Sequence, residues 1–140
     1  VVNLMQRIHA DFTYESQSTQ INTPALQALA QRKGVCQDFS HIMIACLRTL
    51  GLPARYVSGY LMMDDRIDQE AGHAWAEAHV DGLGWVGFDV ANGKSPDAAY
   101  VRVATGADYR DAAPITGISW GPGETALAVS LAVEQQLVEQ

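Results

Sequence analysis

The chain has 140 residues and is acidic, with nine Lys and Arg residues against sixteen Asp and Glu residues and a net charge of −7. It contains no basic patch interleaved with aromatic residues, so nucleic acid is not expected as a partner. No apolar run approaches the roughly 20 residues of a membrane-spanning helix, and no signal-peptide pattern opens the chain. Hydrophobic residues make up 48% of the sequence, enough for one core. These features predict a single soluble domain over residues 1–140, with no membrane partner and a cytoplasmic location.

The first part of the chain is predicted to form two helices separated by a polar loop. Residues 1–10 carry apolar side chains at helical spacing, whereas residues 11–20 are polar. Thr23 and Pro24 have the N-cap and first-turn chemistry of a short second helix, which Gly34 is expected to end. Because the chain starts with Val and enters a helix at once, we expect it to be part of a longer protein.

Cys36 stands at the start of a third predicted helix. Apolar residues follow it at the i, i+3, i+4, i+7 spacing of a helix that covers a core, at Phe39, Ile42, Met43, Cys46, Leu47 and Leu50. Gly51 and Pro53 mark its end. Unpaired N–H groups and the macrodipole at a helix start favour thiolate over thiol, so Cys36 is predicted to be a nucleophile. Cys46 lies about 15 Å further along the helix, too far for a disulfide, and is predicted to pack in the core.

The second half of the chain is predicted to form strands. The segment GHAWAEAHV, residues 72–80, alternates small residues with His, Trp and Glu, which is typical of a strand with one small-residue face. Residues 81–84 have turn chemistry and residues 85–90 run back, so the two strands form a hairpin. Three further strands are predicted, at residues 55–62, 101–103 and 127–133.

Helices followed by a hairpin, without β-α-β alternation, predict an α+β fold in which an antiparallel sheet carries a helical layer on one face. The Cys36 helix is the expected cover of the sheet. The hairpin should bring His73, at the start of one strand, beside Asp89, at the end of the next. If the N-terminus of the Cys36 helix points at that edge, the three side chains supply the thiolate, imidazole and carboxylate that acyl transfer through a cysteine requires.

No metal or other cofactor is predicted. His73 and His79 share a strand face but lie about 20 Å apart, too far to hold one ion. Cys36, His41 and Cys46 follow one another at intervals of five residues, which places their side chains on different sides of a helix, so they are not expected to bind one metal ion. The acidic loop before GHAWAEAHV lacks the ligand spacing of an EF-hand, so calcium binding is unsupported. Nothing in the chain resembles a coenzyme-binding loop.

Three blocks resemble, in this order, the transglutaminase-like superfamily, in particular its bacterial branch of cysteine proteases: GVCQDFSHIMIACLRTLGLPARYVSGYL, GHAWAEAHV and GLGWVGFDVANG. A G-x-C helix start, an H-A-W strand and a G-W-x-x-x-D strand carry the likeness, which runs from about Thr23 to Asn92. The resemblance implies a papain-like core. The branch usually adds an N-terminal β-rich domain, and we expect such a domain of the same longer protein as a partner of this one. The branch also usually has a Ser-rich run where this chain has Gln69 to Gly72.

The resemblance also implies roles for the three residues: Cys36 as nucleophile, His73 as general base and acid, and Asp89 as the orienting carboxylate. The backbone N–H of Cys36 is the expected first donor to the oxyanion. The candidates for the second donor are Tyr14 and Gln20. Trp75 and Trp85 are expected to flank the site, either as walls of the cleft or as packing residues.

The implied activity is that of a cysteine-dependent amide hydrolase or acyltransferase, protease-like or transglutaminase-like, acting through a thioester on peptide or protein amides. Two alternatives remain open at this stage. One is a small-molecule acyltransferase of the arylamine N-acetyltransferase type, which uses a similar triad. The other is a non-catalytic interaction domain that retains the fold.

Overall fold

The structure is a computed structural model that describes the chain apart from residues 21, 64–67, 70–71, 125, 127, 129 and 135–140. The helices are α1 (Val2–Asp11), α2 (Ala25–Gln31) and α3 (Cys36–Thr49). The strands are β1 (Thr13–Tyr14), β2 (Lys33–Gly34), β3 (Ala54–Leu61), β4 (Asp68–Gln69), β5 (His73–Val80), β6 (Gly84–Phe88), β7 (Tyr100–Gly106) and β8 (Leu131–Ala132). Part of the strand predicted at residues 127–133 therefore lies outside the described residues, and within the described part only Leu131–Ala132 forms a strand, β8.

A four-stranded antiparallel sheet with the order β6-β5-β3-β7 forms the centre of the domain. β5 and β6 form the predicted hairpin, in a register that sets Ala76 opposite Phe88 and Val80 opposite Gly84. β7 extends beyond the predicted residues 101–103 because it pairs with β3 along most of its length. Two short pairs, β1 with β2 in parallel and β4 with β8 antiparallel, lie outside this sheet.

Helix α3 covers one face of the sheet and contacts both β5 and β3. The residues of β5 that pack in the same core are Ala74, Ala76 and Ala78, all at most 4% exposed. Their small side chains allow the helix to approach the strand closely. The large core residues come from the helices and from β3, namely Met5, Ile8, Phe39, Ile42, Met43, Ile44, Leu47 and Tyr56. The predicted α+β fold, with a helical layer on one face of an antiparallel sheet, is confirmed.

The C-terminus of α3 ends as its sequence predicts. Gly51 adopts φ +83°, which suits a residue without a Cβ. Its N–H donates to the Arg48 carbonyl at 3.0 Å, and the Leu52 N–H donates to the Leu47 carbonyl at 3.0 Å. This pair of bonds is a Schellman motif, which satisfies carbonyls that the helix itself leaves unpaired.

Both predicted ends of α2 are wrong. Thr23 does not cap the helix, because its Oγ1 accepts a hydrogen bond from the Gln20 N–H at 2.8 Å, and Pro24 occupies the N-cap position. The helix ends at Gln31, with Arg32 in the left-handed conformation, rather than at Gly34. The chain must already be extended at that point, because Lys33–Gly34 pairs with β1.

Candidate active site

Cys36 is the first residue of α3, and a buried carboxylate holds the start of this helix in place. Asp38, 1% exposed, accepts the Val35 N–H at 2.9 Å and the Thr19 hydroxyl on the same oxygen, Oδ2. This contact satisfies one of the backbone groups that a helix start leaves unpaired. Gly34 leaves the space for it, since a Cβ there would lie 2.6 Å from Asp38 Oδ2. The Cys36 thiol is partly buried and is not in a disulfide.

His73 and Asp89 are in direct contact, as the hairpin predicts. His73 Nε2 lies 2.7 Å from Asp89 Oδ2. The His73 ring also forms a side-chain hydrogen bond with Cys36, and because Nε2 faces Asp89, Nδ1 is the nitrogen left for the thiol. Burial lowers the pKa of His73, but the hydrogen bonds with Asp89 and Cys36 outweigh it and raise the pKa to about 9. The imidazole is therefore protonated at neutral pH.

Asp89 is fully buried and accepts two hydrogen bonds from side chains outside the predicted set of site residues. The Asn92 side-chain amide donates to Oδ2 at 2.7 Å, and the Tyr100 hydroxyl donates to the same oxygen at 2.6 Å. Burial raises the pKa of Asp89, but the bonds from His73, Tyr100 and Asn92 outweigh it and hold the pKa below its usual value. Asn92, three residues after Asp89 in a turn, offered a sequence signal, whereas Tyr100 arrives from β7 and offered none.

Of the two candidates for the second oxyanion donor, Tyr14 lies near the nucleophile. Burial raises the pKa of Tyr14, and so do the charges of Cys36 and Asp89. Its ring stacks on Phe39 of α3, with centroids 6.1 Å apart. Gln20 lies instead in a groove, and its backbone N–H donates to the Thr23 hydroxyl. The other residues that line this groove are Gln17, Ser18, Thr19, Asn22, Thr23, Pro24 and Gln27.

The two tryptophans occupy different places. Trp75 is 3% exposed and lies against His73, with ring centroids 6.2 Å apart. Gly59 makes room for it, since a Cβ there would lie 2.7 Å from the indole. Trp85 is 42% exposed and stands at the far end of the hairpin, opposite His79, where Arg55 stacks on its ring. Trp75 therefore lies beside the imidazole, whereas Trp85 lies at the opposite end of the hairpin.

The two tryptophans do share one feature, a cavity of about 420 Å³ whose lining also includes Tyr100, Glu77 and Arg102. Glu77, 5% exposed, is held there by Arg55 at 2.9 Å and by Arg102 at 2.9 Å. Because Trp75 and Tyr100 each contact His73, the cavity adjoins the candidate site behind the imidazole.

Within the described residues, no group of three or more His, Cys, Asp or Glu side chains could hold a metal ion. None of the helices in the described part of the chain is both long and apolar enough to cross a bilayer. The side chains that meet at the N-terminus of α3 are a thiol, an imidazole and a carboxylate in a hydrogen-bonded series.

Solved and curated proteins similar to this chain come from several bacteria. The crystal structure of a proposed cysteine protease from Cytophaga hutchinsonii superimposes with a TM-score of 0.73 at 30% identity, over 98% of this chain and 46% of that one. An uncharacterized Mycobacterium tuberculosis protein is 43% identical in an alignment of 135 residues that covers 89% of this chain and 43% of that protein. The uncharacterized Bacillus subtilis protein YebA is 28% identical over 116 residues, 71% of this chain and 15% of that protein.

The chain thus spans less than half the length of the curated relatives it matches. The family model of the transglutaminase-like superfamily matches residues 1–90. That segment contains α1, all of α3 and the hairpin that carries His73 and Asp89. On this match, together with the structural similarity to the Cytophaga hutchinsonii protein, the chain belongs to the transglutaminase-like superfamily.

Proposed function

We propose that this domain is a cysteine-dependent amide hydrolase or acyltransferase that works through a thioester on Cys36. The observation that carries the proposal is the position of His73, whose ring is hydrogen-bonded to Cys36 on one side and to Asp89 on the other. Membership of the transglutaminase-like superfamily and the similarity to a proposed cysteine protease support a reaction of this class.

In the proposed first step, the Cys36 thiolate attacks the carbonyl carbon of an amide. The negative charge moves to the carbonyl oxygen, where the Cys36 N–H and the Tyr14 hydroxyl are the proposed donors. The protonated His73 then gives its proton to the amide nitrogen, the carbon–nitrogen bond breaks, and an amine leaves. A raised pKa suits this role, because the imidazole keeps a proton at neutral pH for the leaving group.

In the proposed second step, water or a primary amine attacks the thioester. His73, now neutral, takes the proton of the incoming nucleophile as the thiolate departs, which regenerates the imidazolium and the thiolate. Water gives a carboxylic acid, whereas an amine gives a new amide. Asp89, buried and bound by Asn92 and Tyr100, keeps the imidazole oriented in both steps.

The test is the pH dependence of alkylation of Cys36 by iodoacetamide, with Cys46→Ser as the background so that a single thiol reacts. An ordinary thiol ionises near pH 8.5, so that well under 1% of it is thiolate at pH 6. We expect Cys36 in the background variant to react at pH 6 at least about tenfold faster than in His73→Ala, because only the paired thiolate persists there. Equal rates in the two proteins, both following an ordinary thiol, would leave a binding module without this chemistry.

A second measurement distinguishes hydrolysis from transfer. Mass spectrometry after incubation with p-nitrophenyl acetate should show one acetyl group on the Cys46→Ser protein and none on Cys36→Ala, Cys46→Ser. The rate at which that acetyl group is lost is then measured with and without a primary amine. Loss that is independent of the amine indicates a hydrolase, and loss that the amine accelerates indicates an acyltransferase.

A further inference from the structure

The turn that follows β6 carries two residues of the candidate site. Asp89 and Lys94 close it with a pair of backbone hydrogen bonds, at 2.8 and 3.2 Å, and the Gly93 N–H donates to the Val90 carbonyl at 3.2 Å. Asp89 and Asn92 both lie within this turn, and both contact His73. The path of these few residues therefore decides where the carboxylate meets the imidazole.

Helix α1 binds this turn at two backbone carbonyls. Gln6 Nε2 donates to the Gly93 carbonyl at 2.9 Å, and His9 Nδ1 lies 3.0 Å from the Val90 carbonyl. A carbonyl can only accept, so His9 carries a proton on Nδ1. The His9 ring also packs closely against Gly93, since a Cβ at that position would lie 2.9 Å from the ring. Gly93 itself has φ +66°.

The same helix packs against the layer that carries the nucleophile. Met5 and Ile8 of α1 are 3% and 5% exposed and belong to the core that α3 shares with the sheet. Gln6 and His9 are three residues apart, hence neighbours on one face of the helix. α1 is thus fixed through its apolar face to α3, which presents Cys36, and through its polar face to the turn, which presents Asp89.

We propose that Gln6 and His9 are positioning residues, which hold the 89–94 turn so that Asp89 and Asn92 keep His73 in line with Cys36. Neither side chain has a recorded contact with the three reacting residues in the described part of the chain, and neither takes part in a chemical step. The inference rests on the proposed function, since it concerns the alignment of that same site.

The test uses variants that remove a hydrogen-bond donor and leave the shape. Gln6→Glu places a carboxylate where the amide donated, and His9→Phe keeps a ring against Gly93 without an N–H. In the Cys46→Ser background, we expect the double variant to be alkylated at pH 6 by iodoacetamide about tenfold more slowly, because small misalignments of reacting groups have effects of this order or larger. The His73 imidazole, followed by NMR, should lose its proton at a lower pH than in the parent protein.

Two further variants separate positioning from a general loss of structure. His9→Asn puts an amide N–H close to the place of Nδ1 and should restore the rate and the His73 titration when Gln6 is intact. Arg7→Ala, on the same helix but with its guanidinium paired to Asp11 on the surface, should change neither. Both donors lie on exposed residues, so the variants are expected to fold, which urea unfolding verifies.

The NMR titration also keeps this inference distinct from the proposed function. If Cys36 of the parent protein reacts as an ordinary thiol, the proposed function fails, yet a lower His73 titration in the double variant still shows that α1 positions the turn. If the double variant retains both the alkylation rate and the His73 titration of the parent, the positioning role is refuted whatever the activity of the domain. If His9→Asn shows the same slower alkylation and lower His73 titration as the double variant, His9 has no positioning role.

Discussion

Tyr100 extends the series of hydrogen bonds at Cys36 by one further side chain, and it does so from a strand that the sequence pattern did not connect with the site. Its hydroxyl donates to Asp89 Oδ2 at 2.6 Å, and burial and the negative charge of Asp89 raise the pKa of Tyr100. The phenol therefore stays protonated and remains a donor throughout the accessible pH range. Lys94, also near Asp89, lies over the Tyr100 ring instead, 5.8 Å from its centroid.

We expect Tyr100→Phe to lower the free energy of unfolding by about 1.5 kcal/mol, because a buried ionised carboxylate loses one of its donors. Asp89 retains His73 and Asn92, so the loss should not unfold the domain. Urea unfolding at pH 7 measures the change. Tyr109→Phe is the matched control, since the Tyr109 hydroxyl has no recorded partner among the described residues; an equal effect of both changes would contradict the assignment.

Among the secondary-structure elements, those defined by local patterns were predicted well. The apolar spacing and the Gly51 end define α3, and alternation together with turn chemistry defines the β5–β6 hairpin, so the approach of His73 to Asp89 followed from the sequence. The ends of α2 were wrong because the hydrogen bond that Thr23 accepts from Gln20 competes with capping. Both hydrogen bonds would use the Thr23 hydroxyl, and the local sequence does not indicate which of the two forms.

Contacts between distant elements could not be predicted in the same way. Tyr100 reaches Asp89 because β7 pairs with β3, and the binding of α1 to the 89–94 turn joins residues more than 80 positions apart. No periodicity within either segment encodes such a contact. Gln20 and Trp85 were selected by residue type and resemblance, and only the three-dimensional register of the strands separates Trp85 from Trp75.

The geometry at the N-terminus of α3 matters most for the proposed chemistry, and a substitution at Gly34 tests it. Because a Cβ at Gly34 would lie 2.6 Å from both Cβ and Oδ2 of Asp38, Gly34→Ala should push the carboxylate away from the Val35 N–H. We expect a loss of about 1–3 kcal/mol of stability, the usual cost of overpacking, and slower alkylation of Cys36 at pH 6. Urea unfolding and iodoacetamide labelling measure the two effects.

The matched control for this change is Gly117→Ala, where a Cβ would meet nothing within 4 Å and the backbone is not left-handed. It should alter neither the stability nor the labelling rate. If Gly34→Ala is equally silent, Asp38 does not fix the helix start in the way its contacts indicate.

At the scale of the whole molecule, the candidate site joins two layers. The helical layer supplies Cys36, the sheet and its turn supply His73 and Asp89, and the hydrogen bond between Cys36 and His73 crosses from one to the other. The charge state of His73 therefore depends on both layers. Its pKa of about 9 arises against the lowering effect of burial, through hydrogen bonds with Asp89 on the sheet side and with Cys36 on the helix side.

This dependence makes a prediction about stability and pH, which is tested in Cys36→Ala so that His73 is the only member of the Cys36–His73 pair that titrates. In Cys36→Ala, the hydrogen bond with Asp89 alone should still raise the pKa of His73 above the usual 6.5, but to a value below that of the intact pair. Because the folded-state pKa is then above the unfolded one, the protonated imidazole stabilises the fold fully below pH 6.5. That stabilisation is lost as the pH rises toward 9.

The measurement is the free energy of urea unfolding from pH 6 to pH 9.5, for Cys36→Ala and for Cys36→Ala, His73→Gln. Other titrating groups cancel in the difference, so the single variant should lose up to about 3 kcal/mol more than the double variant across this range. NMR titration of His73 in the protein with Cys36 intact and in Cys36→Ala then gives the part of the shift that the helical layer supplies. Parallel stability curves for the two variants would mean that Asp89 does not raise the pKa of His73. A His73 titration that Cys36→Ala leaves unchanged would mean that the two layers are not coupled through this pair. In that event the thiolate of Cys36 would have to be stabilised from the helical layer, where the positive end of the α3 dipole lies at the N-terminus of the helix.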